Sequence, residues 1–291
     1  MDDFFIFVSN KYQDMKKKIL LMLLIATASA ATAQKSDKVK GSKIVTIVER
    51  KIADFETLQI ENNLEVHLER GEKASVKVET DDNLHDIVAI DENEKALRIY
   101  TLKKVTAYKK LIVRVTYTEN LKTIQATHET TVNAIQELLL NAINIKPSGN
   151  ARLFMNINTK TVVYQADDKA KAELNIKAEK TTIEMSKNAS LTALVTTVDL
   201  KTDLYQKADA TIEGDATNAV LRLDNKSSLT ANKLAIKNTE LTIEGYATCI
   251  INTSTTLTID AANKTEIQLI GNPKITIKKF ADETKLIKKL K

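Results

Sequence analysis

The chain has 291 residues, with 43 Lys and Arg against 38 Asp and Glu, and a formal net charge of +5 at pH 7. Positively and negatively charged residues intermix along the chain, so the sequence lacks the concentrated basic surface of a nucleic-acid binding protein. Aromatic residues make up only 4% of the chain, with no Trp, so side chains that could stack on bases are scarce. A single Cys excludes an intramolecular disulfide, and the core must therefore stabilise the fold unaided.

The first 33 residues have the pattern of a secretory signal. Lys16-Lys17-Lys18 precede an apolar run from Ile19 to Ala26, and Ala31-Thr32-Ala33 satisfies the small-x-small rule for cleavage. The run is too short to span a bilayer. We therefore predict a signal peptide at residues 1–33 and a protein exported to the periplasm, the outer surface or the medium. Met15 is a natural start for such a signal, so the residues before it are a candidate upstream extension.

A first group of strands is expected at residues 44–118, after a flexible N-terminal segment at residues 34–43. Apolar residues there alternate with polar ones, which places one face of each segment inward and predicts half-buried strands. Gly71 lies in a polar turn between two such segments and predicts that they pair as a hairpin. The alternating positions are Leu58 and Ile60; Leu64, Val66 and Leu68; Val76 and Val78; Leu97 and Ile99; and Leu111, Val113, Val115 and Tyr117.

Residues 119–279 repeat with a period near twenty. Apolar pairs at i and i+2 recur at about half that period, which predicts coils with two straight strands each and hence a β-solenoid. An antiparallel sandwich, with turns about every 8 to 12 residues, is the alternative. The likeness of turns twenty residues apart favours the solenoid. The turns are predicted to begin at Asp167, Ser186, Gln206, Asp224, Glu244 and Asp260.

The last segment, residues 280–291, is rich in lysine. Phe280, Leu286, Ile287 and Leu290 are interspersed with lysines, which predicts a short amphipathic helix or a last strand. Such a segment would cover the open end of the stack and suppress association between ends. Contact between the lysines and a membrane surface is the alternative interpretation. We therefore describe these residues as a Lys-rich cap or tail.

Histidine and cysteine give no sign of a metal site or a nucleophile. His67, His85 and His128 share no metal-ligand spacing, so no metal site is predicted. Cys249 adjoins Ile250 and Ile251 without a basic neighbour, which predicts a buried core residue. Six glycines without a phosphate-binding pattern give no support for a nucleotide cofactor, and we predict no cofactor.

Two pairs of adjacent carboxylates, Asp81-Asp82 and Asp167-Asp168, are candidates for sugar hydrolysis. Hydrolysis needs two carboxylates that flank one glycosidic bond across a groove. Adjacent residues in a strand point to opposite faces, so both pairs are predicted to form turns, and no catalytic residue is predicted.

Asparagine recurs near the predicted corners of the coils. Aligned Asn side chains of stacked coils can hydrogen-bond one another, which predicts a structural ladder. The candidate residues are Asn150, Asn188, Asn225, Asn263 and Asn272.

Short motifs near both ends of residues 45–279 resemble those of a known family. The segments Phe55 to Leu68, Ser75 to Glu79 and Asp81 to Leu84 resemble the opening of the auto-transporter adhesin head domain, or GIN domain. Leu257 to Ile259 and Ile270 to Ile275 resemble its closing motif. The resemblance implies export, a right-handed parallel β-helix with additional N-terminal strands, and no demonstrated activity.

The turns depart from that family, whose coils usually turn with Gly-Ser-Gly. This chain has Lys-Asn-Ala-Ser, Lys-Ala-Asp-Ala, Asn-Lys-Ser-Ser and Ala-Asn-Lys-Thr at these places. Only glycine tolerates every backbone region. Either the turns differ in shape, or Asn and Asp take the left-handed positions.

These observations favour an exported, non-catalytic β-solenoid that binds a surface polymer or an envelope protein, in the manner of an adhesin. One alternative is a polysaccharide lyase or hydrolase on a β-helix. A second is a structural envelope component that self-associates, with homo-oligomers formed through the solenoid ends. No nucleic-acid partner is expected, and no integral membrane segment is expected after signal cleavage.

Overall fold

The computed structural model describes residues 38–290, so the predicted signal peptide at residues 1–33 lies outside the described residues. The described part consists almost wholly of strands, with one 3₁₀ helix at Asp82–Ile87. The strands are β1 Lys38–Lys40, β2 Val45–Lys51, β3 Thr57–Ile60, β4 Glu65–Arg70, β5 Ser75–Asp81, β6 Val88–Asn93, β7 Ala96–Thr101, β8 Lys104–Thr106, β9 Leu111–Tyr117, β10 Thr123–Ala126, β11 Thr131–Pro147, β12 Arg152–Ala166, β13 Lys171–Met185, β14 Ser190–Leu204, β15 Asp209–Leu223, β16 Ser228–Ile243, β17 Thr248–Ala261, β18 Glu266–Ile270, β19 Lys274–Phe280 and β20 Lys285–Lys288.

The parallel strands form a β-solenoid of about nine turns of roughly 19 residues each, which confirms the predicted fold class. The long strands from β11 to β17 are its central coils. Each coil is one long strand with a bend near its middle. At the bend one residue is left out of the pairing, as Lys160 and Glu179 are between β12 and β13. Inward residues are Leu153, Met155 and Ile157 before the bend in β12, but Val162, Tyr164 and Ala166 after it. The two predicted strands per coil are thus the two arms of a single bent strand.

The core alternates large and small side chains along the stack. In parallel in-register strands, paired residues point to the same side and lie about 4.8 Å apart. Where one inward column has Ala the adjacent column has Leu or Ile, which keeps each layer filled at the density of a protein interior. The first column is Leu153, Ala172, Leu191, Ala210 and Leu229. The second is Met155, Leu174, Ala193 and Ile212, and all members of both columns are buried.

The N-terminal strands join this stack in an order that differs from the chain. On one wall β7 pairs in parallel with β3 and β3 with β10; on the other wall β9 pairs with β4 and β4 with β11. The column Leu97, Leu58, Ile124, Ile145 and Tyr164 runs from β7 to β12 with every side chain fully buried. One continuous core therefore spans the N-terminal strands and the coils.

The predicted hairpin around Gly71 is wrong. β4 pairs with β9 in parallel, and β5 pairs with the opposite edge of β9 antiparallel, so β9 lies between the two strands. The four residues between β4 and β5 are long enough to step over one strand, whose neighbours lie about 4.8 Å away on each side. β2 pairs antiparallel with β5, and β6 with β7, and these strands close the N-terminal end.

The turns between coils form a column of left-handed residues. In each turn the second residue has a positive φ between 57° and 77°. The next amide donates to the carbonyl one coil back, as Asn188 N–H does to Asp168 O at 2.8 Å and Lys207 N–H does to Lys187 O at 2.8 Å. The column comprises His128, Gly149, Asp168, Lys187, Gln206, Asn225, Gly245, Asn263 and Asp282.

Four of the six predicted turn starts are confirmed: Asp167, Ser186, Asp224 and Glu244. The other two are wrong by one or two residues. The turn predicted from Gln206 begins at Tyr205, and the one predicted from Asp260 begins after that residue, which belongs to β17. Of the two alternatives left open by the sequence, Asn and Asp do take left-handed positions, but so do Lys187 and Gln206. The coil-to-coil hydrogen bonds impose that conformation on residues that disfavour it.

Candidate functional site

A groove with an excess of cationic residues crosses coils β11 to β14 on the outside of the solenoid. We call it the Arg152 groove. The register places Arg152, Lys171 and Ser190 in one outward column and Phe154, Glu173 and Thr192 in the next. Two adjoining concave surfaces share Arg152 and Lys171. Together they are lined by Asn63, Glu129, Thr131, Asn150, Arg152, Phe154, Lys169, Lys171, Glu173, Ser190 and Thr192, with buried Leu153 and Ala172 beneath.

The three cations of the Arg152 groove are exposed and lack ion pairs. Arg152 and Lys171 are direct partners on neighbouring strands, and Lys169 lies in the turn before Lys171. Over residues 38–290, ion pairs engage other lysines, such as Lys187 and Lys177, and leave these three cations without one. Like charges on neighbouring strands repel one another, so a bound anion would stabilise this arrangement.

The other side chains of the groove suit a polar polymer. Phe154 is 40% exposed beside Arg152 and offers one aromatic face. Thr131, Ser190 and Thr192 supply hydroxyls, while Asn63 and Asn150 supply amides. A guanidinium can bind a carboxylate or phosphate through two parallel hydrogen bonds. The groove can therefore hold an anionic group and hydroxyls on either side of it.

A second groove lies where β4 and the β9–β10 connection meet the bend of the first coils. Its charged lining is Arg70 with three carboxylates, Asp54, Glu72 and Glu119. Asn120 donates to the Asp54 carboxylate at 3.1 Å. Among the described residues, no group of three or more His, Cys, Asp and Glu side chains could hold a metal ion.

The Asp81-Asp82 pair tethers the N-terminal segment. The buried Asp81 carboxylate accepts hydrogen bonds from the amides of Lys43 at 2.8 Å, Lys109 at 3.0 Å and Lys110 at 3.1 Å. Burial acts to raise the pKa of Asp81, but these hydrogen bonds hold it below its ordinary value. The Asp82 carboxylate accepts the hydroxyl of Ser42. Both carboxylates therefore have structural partners. The pair does not form the predicted turn, because Asp81 ends strand β5 and Asp82 begins the 3₁₀ helix.

The Asp167-Asp168 pair surrounds a lysine of the next coil. Lys187 Nζ lies 2.8 Å from Asp167 Oδ2 and 2.7 Å from Asp168 Oδ1. These contacts with Lys187 lower the pKa of both carboxylates and raise that of the ammonium. Asp167 and Asp168 lie in a turn, as predicted.

The three histidines occupy separate places with different partners. His67 Nε2 lies 2.7 Å from Glu65, His85 Nε2 lies 2.8 Å from the hydroxyl of Thr46, and His128 is the left-handed residue of its turn. Cys249 is buried, as predicted, and burial raises the pKa of its thiol to about 12. A thiol with this pKa and no exposure is inert toward solvent reagents.

The asparagine ladder exists at a different place from the predicted one. Asn218 Nδ2 donates to Asp199 Oδ1 at 2.9 Å, Asn238 Nδ2 donates to Asn218 Oδ1 at 3.1 Å, and the Thr256 hydroxyl donates to Asn238 Oδ1 at 2.8 Å. These residues follow the bend of the coils. Of the predicted residues, Asn225 and Asn263 take left-handed turn positions instead.

Sequence reasoning did not identify the Arg152 groove. Arg152 lies one coil before Lys169 and Lys171, and only the 19-residue register brings it beside them. In the part of the chain that the structure describes, no helix has the length and hydropathy needed to cross a membrane.

Solved structures share this fold over nearly their whole length. A putative adhesin of Parabacteroides merdae is 17% identical, covers 87% of this chain and 99% of its own, and has a TM-score of 0.63. A putative adhesin of Parabacteroides distasonis is 18% identical, covers 87% of this chain and 100% of its own, and has a TM-score of 0.64. A putative lipid binding protein of the same organism is 15% identical, covers 87% and 99%, and has a TM-score of 0.60. At these identities the likeness shows the fold alone.

No curated protein matches the sequence. The model of one family, described as "Putative auto-transporter adhesin, head GIN domain", matches residues 54–273, which is most of the chain. This match agrees with the resemblance of the opening and closing motifs and with the solenoid. The chain therefore belongs to the auto-transporter adhesin head GIN domain family.

Proposed function

We propose that this protein is an exported, non-catalytic binding protein that engages an anionic, hydroxyl-rich polymer of the cell surface through the Arg152 groove. The observation that carries the proposal is the row of unpaired cations, Arg152, Lys169 and Lys171, beside the exposed ring of Phe154. Family membership supports an adhesin-like role. Parallel coils suit a polymer because their side chains recur about every 4.8 Å along a straight wall.

The spacing of the cations favours a chain that carries one acidic group per sugar over an isolated anion. Arg152 and Lys171 lie on adjacent coils, and Lys169 extends the row toward the turns. Several weak contacts on one chain raise the overall affinity without a deep pocket. Glu129 and Glu173 flank the row and would select, through repulsion, against chains with more than one acidic group per sugar.

No observation favours the lyase or hydrolase alternative. Both predicted carboxylate pairs have backbone, hydroxyl or lysine partners, which leaves neither poised across a groove. Self-association remains a separate expectation, which concerns the ends of the solenoid and not this groove.

A binding experiment with two polysaccharides tests the proposal. Polygalacturonate carries one carboxylate per sugar, whereas dextran is uncharged. We expect the protein to bind polygalacturonate in preference to dextran, with a Kd that rises with salt. The double variant R152E/K171E should weaken binding at least about tenfold, because two attractive contacts become repulsive.

The matched control is K160E/K180E, which makes the same charge change in the same two coils but near the bend. Equal loss of binding in both double variants would show that only net charge matters and would contradict the groove. Release of new sugar ends from polygalacturonate would contradict a non-catalytic role.

A further inference from the structure

The C-terminal end of the solenoid exposes residues that belong to its core. β19 pairs with β17, and its other edge has no partner among residues 38–290. Ile275 and Ile277 of β19 continue the columns of Leu257 and Ile259, which are buried. Yet Ile275 is 41% and Ile277 53% exposed, because no described strand stacks on them. The apolar cross-section of the last coil is thus partly open.

β20 covers only the other half of that coil. It pairs with β18 and places Leu286 over Ile267. Phe280, at the end of β19, remains 41% exposed, and Leu290, after β20, is 92% exposed. The predicted last strand therefore exists but leaves the β19 half of the end uncovered. An apolar surface of this kind needs a partner or a device that prevents aggregation.

Lysines surround this apolar surface. Residues 274–290 contain six lysines and two carboxylates, an excess of four in a chain whose total formal charge is +5. One of the two carboxylates, Glu283, pairs with Lys264 of the preceding turn at 3.0 Å. Nearly all of the net charge is therefore found at this end, whereas the signs intermix elsewhere. The six are Lys274, Lys278, Lys279, Lys285, Lys288 and Lys289.

The arrangement on β19 separates apolar from charged side chains. Ile275 and Ile277 continue the core columns, Lys274 precedes them on the outward side, and Lys278 is exposed where the pairing of β19 with β17 shifts register. A second copy of this end would bring six lysines against six lysines, which is repulsive. A partner that is flat, apolar beneath its surface and negatively charged at its surface fits both properties. An anionic lipid bilayer has these features.

We propose that the C-terminal end of the solenoid docks on the surface of an anionic lipid bilayer. Ile277 and Phe280 enter the boundary between headgroups and acyl chains, while the lysines at the outer side of β19 contact lipid phosphates. Neither contact uses the Arg152 groove, which lies several coils away on the side of the solenoid. The solenoid then stands on the membrane with that groove accessible.

Co-sedimentation with vesicles tests this proposal. One set of vesicles contains phosphatidylcholine with a quarter phosphatidylglycerol, and the other contains phosphatidylcholine alone. We expect binding to the first set, much weaker binding to the second, and a loss of binding as salt is raised. The variant K278E/K279E should reduce binding at least tenfold, and I277S should reduce it several-fold.

The control variant K207E/K226E makes the same charge change on exposed turn lysines of coils β15 and β16. It should bind as the unmodified chain does. The lysines at 278 and 279 are exposed, so K278E/K279E keeps the proposal testable even if I277S unfolds the last coil.

Equal binding to neutral and anionic vesicles, or equal losses in K278E/K279E and K207E/K226E, would overturn the proposal. A second contradictory result would be a dimer, seen by light scattering, that the I277S substitution abolishes, together with no binding of the protein to either set of vesicles. The C-terminal end would then join two copies of the chain. R152E/K171E should bind vesicles as the unmodified chain does. The proposal for polymer binding at the Arg152 groove and the proposal for bilayer docking at the C-terminal end can therefore fail independently.

Discussion

At the N-terminal end of the solenoid, antiparallel strands close over the parallel ones, whereas at the C-terminal end the last parallel strand has an open edge. Leu97 and Ile99 of β7 are fully buried, with β6 paired along their strand. Ile275 and Ile277 of β19 occupy comparable inward positions and are about half exposed. The sequences of β7 and β19 have the same alternation, so the difference arises from what stacks on each strand.

In this molecule the end that is closed is the one at which the strand direction changes. A parallel coil presents an edge that the next coil fills, and stacking alone moves the edge without removing it. At the N-terminal end β2, β5 and β6 reverse direction, and Asp81 ties the segment before β2 to the β8–β9 connection. The C-terminal end has no such reversal among the described strands, which leaves a surface free for a partner.

Truncation of one side chain at each end tests the comparison most strongly. Ile99→Ala should lower the free energy of unfolding by about 2–5 kcal/mol, because it leaves a cavity in a packed core. Ile277→Ala should lower the free energy of unfolding by less than about 1 kcal/mol, because about half of that side chain is already exposed to water. Urea unfolding measures both. Equal losses would contradict the open end.

The tether at the closed end should make stability depend on pH. The folded pKa of Asp81 is below its ordinary value of 3.8, so its contribution is present above that value and is lost as pH falls through the folded pKa. Unmodified protein should therefore lose more stability than Asp81→Asn as pH falls from about 5 to about 2. At pH 7, Asp81→Asn should unfold at lower urea, because an amide cannot accept all three backbone hydrogen bonds.

Hydrogen exchange supplies the local control for this variant. Asp81→Asn should speed exchange at residues 38–44, which the carboxylate and Asn83 hold in place, and leave β12 to β14 unchanged. Uniform acceleration across the chain would show a global effect and would contradict a local tether.

Cysteine labelling can compare local opening along the stack. Cys249 lies in the column of Ala172 and Ala210, but only two strands, β18 and β20, separate it from the open end. An alkylating reagent should modify Cys249 slowly in the native protein, because the thiol is buried with its pKa raised to about 12. It should react several-fold faster than the cysteine of the double variant A172C/C249A, because coils near an open end separate more often. Equal rates would indicate opening of the whole stack at once.

The smallest effect is expected in the middle of the stack, at the turns. Gln206→Gly should stabilise the protein by about 1 kcal/mol, since a side chain in the left-handed region costs roughly that much. Lys207→Gly, one residue later and without a positive φ, should be neutral or slightly destabilising. Thermal unfolding measures both, and a stabilisation of similar size in the two variants would remove the backbone explanation.

The sequence predicts the solenoid well because its core is periodic. The columns that contain Leu153 and Met155 repeat with little change in spacing, and burial of such columns requires stacking. It does not predict the placement of β9 between β4 and β5, because pairing between distant strands leaves no local pattern. The Gly71 turn has the composition of a hairpin turn, although the chain steps over a strand there.

The same limit applies to the turns and to the candidate sites. Tyr205 and Lys187 have side chains atypical of their turn positions, and hydrogen bonds to neighbouring coils place them there. Arg152, Lys169 and Lys171 form one groove only in the folded register. The sequence shows that the C-terminal segment is rich in lysine. It does not show that β20 pairs with β18 and leaves the β19 half of the end uncovered.

The alternation of Leu and Ala along the first inward column has a consequence for how such a protein changes length. Removal of one coil, for example residues 172–190, would bring Leu153 directly against Leu191 in a column built for one large residue in every two. Removal of two coils would bring Leu153 against Ala210 and preserve the packing. A pair of coils, about 38 residues, is therefore the unit that can be duplicated or lost with little loss of stability. Relatives of different length should differ by multiples of that pair.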